Sequence, residues 1–474
     1  MLAYFQRASS LGQGLLPEQL ARPATAYGRA ELERKLRREN FSSFPVDVLQ
    51  RFETQLANKL TETMRSCLEF DLGAFEAAFR SVFQLRDELS RDAIQHEFIG
   101  QDGGARLIAL LQGYPALARL WSQLISNWVA RISELVARLT ADKRAIRQTF
   151  FRGCNPGDLV DVSTGLSDPH HSGRETIIIS FRNGRVVYKP RSGRSESDWF
   201  SFLDWSNRQR FAPRFRTLSL LRRRDYCWME FVEHLPCCSG ADAHRYYRRA
   251  GGLTCAAYLL GAIDCHRDNL IAAGDQPVLI DAETFLHYQT AAALREQNGS
   301  VTRTGLLPIP ASLSGARADI GAFGGTPGIH TPTLRGVHLA ASSYPDDVAR
   351  GFRDMWNLIG KPYTQTGAAF RRRMRRLAQR SWRRIPRSTR TYSEIRSRSL
   401  GSEALRSGLQ RSRGIAFDLL RSSLDASFVF EEVRAISRLD IPYFLALPGK
   451  KLPATNSLPL PALLACVRSV LDSD

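Results

Sequence analysis

Between Ile263 and Glu283 the sequence reads IDCHRDNLIAAGDQPVLIDAE, and its polar residues stand at spacings that phosphoryl transfer uses. Asp264 is followed five positions later by Asn269, and Asp281 closes the next apolar run. In protein kinases a catalytic-loop Asp faces the substrate hydroxyl, while an Asn five residues on and a downstream Asp at a strand end hold Mg²⁺. Oxygen donors of this kind suit a hard cation. Glu283, two residues past Asp281, is expected to share the metal if the strand continues that far, because alternate residues face one way. His266, two residues after Asp264, is a candidate acid or base, although a lone histidine is more often a hydrogen-bonded structural residue. Lys189 ends the run VVYK and is placed like the strand lysine that meets the α- and β-phosphates of ATP. Its plainer role is a solubilising charge on an edge strand. Asp168 and His170, in TGLSDPHHSGR, form a polar loop where a nucleotide-covering loop should lie, with an Asp-Pro turn as the alternative. Neither G-x-G-x-x-G nor G-x-x-x-x-G-K-[ST] occurs, which disfavours an ordinary protein kinase or P-loop enzyme.

The elements that must hold these residues follow from periodicity. From about Pro17 to Thr149 apolar residues recur every three or four positions, predicting a helical N-terminal region over 1–150. A β-rich lobe is expected over 151–240: Thr176–Phe181 and Arg185–Tyr188 flank Asn183-Gly184, a pair suited to a tight hairpin. A second β pair is expected at Phe215–Leu221 and Tyr226–Val232. From 241 to 474 a helical lobe is expected, starting with a helix over Ala241–Leu260. Strands at Leu270–Ala273 and Val278–Asp281, joined by Gly274-Asp275, bring Asn269 and Asp281 to one end of a short sheet. Residues 299–335 read as an irregular loop, and helix resumes near Pro345–Ile359. The stretch Arg371–Arg390 contains ten arginines and reads mostly as a solvated basic face.

Composition bounds the partners. The 474 residues are 43% hydrophobic, enough for a sizeable core, and 66 Lys and Arg against 47 Asp and Glu give a net charge of +19. Such a chain attracts polyanions and acidic peptides. Specific nucleic-acid recognition is disfavoured, since no zinc finger, RNA-binding sheet signature or interleaved aromatic pattern accompanies the arginines. The eight cysteines show no C-x-x-C spacing, which argues against a zinc site or disulfide framework. No apolar run reaches the length of a membrane span, and the N-terminus lacks a signal-peptide core, so a cytoplasmic location is expected.

Taken together, SDPHHSGR, VVYKPRS, YCWMEFVE, YYRRAGGLTCAAYLLGAIDCHRDNLIAAGDQPVLIDAETF and LDIPYF resemble the dehydratase domain of class II lanthipeptide synthetases, in order and over roughly residues 40–474. The resemblance implies an α+β fold with a lipid-kinase-like core, a sheet lobe plus a helical lobe. It implies ATP and Mg²⁺ as cofactors and a ribosomally made precursor peptide with a leader as substrate. Ser or Thr would be phosphorylated and phosphate then eliminated to give dehydroalanine or dehydrobutyrine. The family's phosphorylation residues carry onto Asp264, His266, Asn269 and Asp281. Lys189, Asp168 and His170 match its nucleotide-side and elimination positions. In WRRIPRSTRTY the spacing R-x-x-x-R-x-T carries its elimination motif onto Arg383 and Thr389, with Arg387 between them; Ser388 replaces the proline usual before that threonine. The family normally continues into a zinc-dependent cyclase, with no counterpart here, so a separate cyclase, a continuation or a linear product are all open. Two other functions compete: a kinase-like phosphotransferase that stops at the phosphorylated peptide, and an inactive leader-binding remnant.

Overall fold

A computed structural model describes residues 16–42, 44–82, 91–99, 103–286, 301–308, 320–324, 328–360, 363–422, 426–446 and 460–472. Along the chain come helices α1 (Leu16–Arg38), α2 (Val46–Val82), α3 (Arg91–Ile99), α4 (Gly103–Gly113) and α5 (Pro115–Phe150). Strands β1 (Leu159–Ser163), β2 (Ile177–Phe181) and β3 (Gly184–Lys189) follow, then α6 (Arg194–Arg208), β4 (Leu220–Arg222), β5 (Cys227–Glu230) and α7 (Gly240–Leu259). Next are β6 (Leu270–Ala273), β7 (Gln276–Leu279), β8 (Thr333–Leu334), β9 (Val337–His338), α8 (Pro345–Met355), α9 (Gln365–Ala378) and β10 (Trp382–Arg384). The last elements are α10 (Thr389–Arg398), α11 (Ser402–Arg406), α12 (Gly408–Ser422), α13 (Val429–Ser437), β11 (Phe444–Ala446) and α14 (Leu460–Asp472). The fold is thus α+β, with helices dominant and small antiparallel sheets. No helix among the described residues is long and apolar enough to cross a membrane. None of the eight cysteines, all among the described residues, forms a disulfide.

The chain divides into two compact units, Met1–Pro190 with Pro386–Tyr443, and Arg191–Ile385 with Phe444–Asp474. In the first, the apolar stripes of α1, α2 and α5 pack together, and the indole nitrogens of the buried Trp128 and Trp121 donate to the Phe52 carbonyl and the Thr63 hydroxyl, each at 3.0 Å. Burying these aromatics supplies a large share of the apolar stabilisation while their N–H groups stay satisfied. Strands β1, β2 and β3 form an antiparallel meander. The β2–β3 hairpin pairs Phe181 with Gly184, so Arg182-Asn183 forms its turn, one residue earlier than the Asn183-Gly184 expected. Helices α10, α12 and α13 close around Tyr392, Ile395, Ile415, Leu419, Ile436 and Ile441.

In the second unit, α7 crosses α8 at glycines. A Cβ on Gly251 would overlap the Val348 carbonyl, and one on Gly351 the Arg248 carbonyl, so only glycine permits this approach. Strands β4 and β5 are shorter than expected; before β4 the Arg216 and Ser219 N–H groups donate to side chains, Gln276 Oε1 at 2.9 Å and Glu230 Oε2 at 3.0 Å, while Ser219 O still accepts from Glu230 N at 3.0 Å. The β6–β7 hairpin turns at Gly274-Asp275 as expected, with Gly274 at φ +66°. Strand β7 ends at Leu279, two residues before the expected Asp281. After Met355 the α8 region continues as a π-type turn, Trp356–Gly360. In α9 the residues Phe370, Met374 and Ala378 are buried at four-residue spacing, leaving its arginines toward solvent. Parts of the irregular loop expected over 299–335 lie outside the described residues; the described parts hold one 3₁₀ turn and the short β8.

Candidate active site

The chain leaves α7 through Gly261, at φ +63°, and enters a loop pinned by its backbone. Ile263 N donates to Thr284 O at 3.2 Å, Cys265 N to Thr304 O at 2.9 Å and Arg267 N to Ile320 O at 3.2 Å. These bonds hold Asp264 at φ +64°, a left-handed conformation that a short polar side chain tolerates better than most. A 3₁₀ turn, Arg267–Asn269, follows and is capped by the His266 ring, whose Nδ1 accepts from Asp268 N at 3.3 Å. In the neutral ring that bond puts the proton on Nε2, which lies 3.4 Å from Asp264 Oδ1. Burial alone would lower the His266 pKa, but the hydrogen bond and charge of Asp264, with the charges of Asp268 and Asp281, outweigh it and hold the ring above its ordinary value. Asn269 donates through Nδ2 to the Asp264 carbonyl at 2.8 Å, and Ile280 N donates to Asn269 O at 2.8 Å. Asp264, His266, Asn269 and the start of the 280–283 segment are thereby brought to one place.

Asp281 and Glu283 meet a residue that the spacing did not single out. Arg191, two positions after Lys189, reaches Asp281 Oδ1 at 2.8 Å and Glu283 Oε2 at 2.7 Å, and also pairs with the buried Glu196. The other Glu283 oxygen pairs with Arg383, whose backbone N–H donates to the Glu283 carbonyl at 3.3 Å. Burial pushes the Glu283 carboxyl above its ordinary range, while Arg191 and Arg383 restrain the rise. The expectation that Glu283 shares a metal meets a different arrangement, in which both its oxygens face guanidinium groups. Its reach toward Asp281 comes from this shared arginine, not from strand alternation, since β7 has already ended.

The remaining residues belong to the first unit. Lys189 ends β3 and is buried. Asp168 and His170, both half-buried, lie on a loop clamped to the 440–443 segment. His170 Nδ1 donates to the Ile441 carbonyl at 2.7 Å, so Nε2 carries the lone pair of the neutral ring, and Tyr443 packs edge-on against the rings of His170 and His171. His171, Ser172 and Gly173 all have positive φ, which turns the Ser172 and Gly173 N–H groups onto the Asp440 carboxylate at 2.7 Å each. Asp440 is the second residue that spacing missed, although it sits in the LDIPYF motif. The R-x-x-x-R-x-T motif is divided: Arg383 lies on β10 in the second unit, Arg387 and Thr389 in the first. Arg387 is buried and pairs with Glu432, which also accepts from Tyr392 Oη at 2.6 Å, so it holds α10 to α13. Thr389 is exposed at the first position of α10, and Ser388 caps that helix by accepting from Thr391 N at 3.2 Å. Ser at the N-cap offers a side-chain oxygen to a first-turn N–H that has no partner within the helix, which suits the start of a helix.

As ligands for a hard cation, Asn269 and Asp281 fit: Asn269 spends its Nδ2 on a carbonyl, which leaves Oδ1 as the donor atom, and Asp281 adds a carboxylate. Among the described residues no three His, Cys, Asp or Glu side chains form a ready metal cage.

Comparison with known proteins adds a family. The model of a family described as "Domain of unknown function (DUF4135)" matches residues 114–332 and 326–446, and the chain belongs to that family. The matched stretches include every candidate residue above. A curated protein, the lacticin 481/lactococcin biosynthesis protein LcnDR2 of Lactococcus lactis subsp. lactis, is 29% identical over 157 residues. That alignment covers 29% of this chain and only 17% of the relative's length.

Proposed function

We propose that this protein modifies a ribosomally made precursor peptide, transferring the γ-phosphoryl group of ATP to Ser or Thr hydroxyls and then eliminating the phosphate to leave dehydrated residues. The relative's part in lacticin 481 and lactococcin biosynthesis agrees with the resemblance to lanthipeptide synthetases. The single observation that carries the reading is the pinned loop that gathers Asp264, His266 and Asn269 beside the segment bearing Asp281, four polar side chains of the kinds phosphoryl transfer needs. Residues 151–240 would serve as the nucleotide-binding lobe and 241–474 as the catalytic lobe of a lipid-kinase-like core, working in the cytoplasm.

ATP with Mg²⁺ supplies, when bound, the phosphoryl group and the charge neutralisation of its transfer. Asn269 and Asp281 would hold the metal, and Lys189 would supply a cation for the nucleotide phosphates. Asp264 orients the substrate hydroxyl and accepts its proton, with His266 as the neighbouring proton carrier. In the elimination half, the α-proton leaves to a base for which His170 is the candidate, positioned by its Nδ1 bond and assisted by Asp168. The resemblance assigns Arg383 and the hydroxyl of Thr389 to the departing phosphate, which they would stabilise. A second reading, a phosphotransferase that stops at the phosphopeptide, is favoured by one observation: Arg383 is engaged with Glu283, so it must exchange a carboxylate for a phosphate to serve elimination.

Incubation with ATP, Mg²⁺ and the cognate precursor, followed by mass spectrometry, decides between them. The expected product is lighter by one water per modified residue. Accumulated phosphopeptide supports the second reading, and unchanged peptide without ATP turnover overturns both.

A further inference from the structure

A cation-rich cavity lies within the first unit, and none of the residues given a role in phosphoryl transfer lines it. It is a pocket of about 370 Å³ between the start of α5 and the facing ends of α12 and α13. Four arginines line it, Arg119, Arg411, Arg434 and Arg438, together with the hydroxyls of Ser412 and Ser437, and none of its lining residues is acidic.

The charge in this wall is weakly compensated. Arg411 is only 6% exposed, and its hydrogen bonds run to the Ser399, Ile436 and Ser437 carbonyls and the Ser399 hydroxyl, with no carboxylate among them. Desolvation by burial lowers its pKa to about 10, so it stays charged at neutral pH without an acidic neighbour to offset the cost. Arg434 spends part of its charge on the exposed Glu431, at 3.3 Å. The Arg119 guanidinium lies against Gly408 at the start of α12, 3.3 Å from where a Cβ would stand. Ser437 Oγ is buried and has no hydrogen-bond partner. A set of guanidiniums and hydroxyls without a carboxylate matches an oxyanion, whose oxygens accept several charge-assisted hydrogen bonds at once. The volume is well beyond the roughly 30 Å³ of a single water, so a phosphate and the group carrying it both fit.

We propose that this cavity is a binding site for a phosphate group, distinct from the phosphoryl-transfer residues. Arg438 also lines a smaller cavity together with Pro169, Ser172, Gly173 and Asp440, so one side chain links the site to the loop of Asp168 and His170. Two sources share this chemistry, inorganic phosphate and a phosphorylated Ser or Thr of a peptide. The second source rests on the function proposed above; the binding chemistry itself does not.

The test is isothermal titration of the whole chain, without ATP or precursor, with inorganic phosphate in one arm and a short phosphoserine peptide in the other. Arg119→Gln and Arg438→Gln are the test variants, because neither side chain bridges helix ends as Arg411 does, and Arg224→Gln, an exposed arginine elsewhere, is the charge control. The site predicts saturable 1:1 binding in at least one arm, weakened about tenfold or more by each test variant and unchanged in the control. Binding only in the peptide arm assigns the phosphorylated side chain as the ligand, and equal binding in both assigns the phosphate alone. No saturable binding in either arm, or equal weakening in the control, overturns the proposal. Because no turnover is read, this failure is separable from failure of the dehydration chemistry.

Discussion

Removing Arg191 gives the sharpest test of how the acidic segment 281–283 is held. In Arg191→Met, Glu196 and Glu283, whose side chains are 1% and 5% exposed, each lose a guanidinium, while Glu283 keeps Arg383. Breaking a buried ion pair by deleting one partner costs about 3–5 kcal/mol, and since Arg191 is itself 24% exposed, the lower end, about 3 kcal/mol, applies. For a unit of this size that corresponds to a fall in Tm of roughly 6–12 °C. The sign with pH follows from Glu283, whose folded pKa is already raised by burial. A carboxyl with a raised folded pKa binds more protons folded than unfolded, so stability falls as pH rises through and above about 4.3. Losing Arg191 raises that pKa further, so the deficit of the variant should be small near pH 4 and grow toward pH 7. Urea unfolding followed by tryptophan fluorescence at several pH values reads this directly. A deficit under about 0.5 kcal/mol at pH 7, or one independent of pH, refutes the reasoning.

Other consequences are as concrete. The His266 ring should titrate above about 6.5 by NMR, contributing stability below that pH that fades as pH rises through the folded value; Asp264→Asn should bring the midpoint down. Gly251→Ala should cost about 2 kcal/mol or more in thermal unfolding, because the clashing atom belongs to the Val348 backbone and cannot swing aside. Glu432→Gln should destabilise by about 3 kcal/mol by leaving Arg387 buried without its carboxylate, and Arg387→Met in the same chain should recover much of the loss, as calorimetry would report.

Sequence spacing made the Asp264, His266 and Asn269 loop legible because its geometry is local: five residues, one 3₁₀ turn and one hairpin suffice to build it. The β6–β7 hairpin and its Gly274-Asp275 turn were legible for the same reason. Strand ends were less so: before β4 the side chains of Gln276 and Glu230 take backbone donors, a tertiary event invisible in the local pattern. Arg191 and Asp440 escaped because an arginine or aspartate announces nothing until its partner is near, here 90 positions away for Arg191 and Asp281. Arg387 shows the converse: its place in a motif suggested chemistry, whereas burial against Glu432 gives it a structural task.

The decisive measurement is product mass spectrometry on single variants supplied with ATP, Mg²⁺ and precursor. Asn269→Ala and Asp281→Ala should leave the peptide unmodified, whereas Arg383→Ala should accumulate phosphopeptide. Full dehydration by Asp281→Ala, or the same product from Asp281→Ala and Arg383→Ala, would contradict a phosphoryl-transfer site built on Asp264, His266, Asn269 and Asp281.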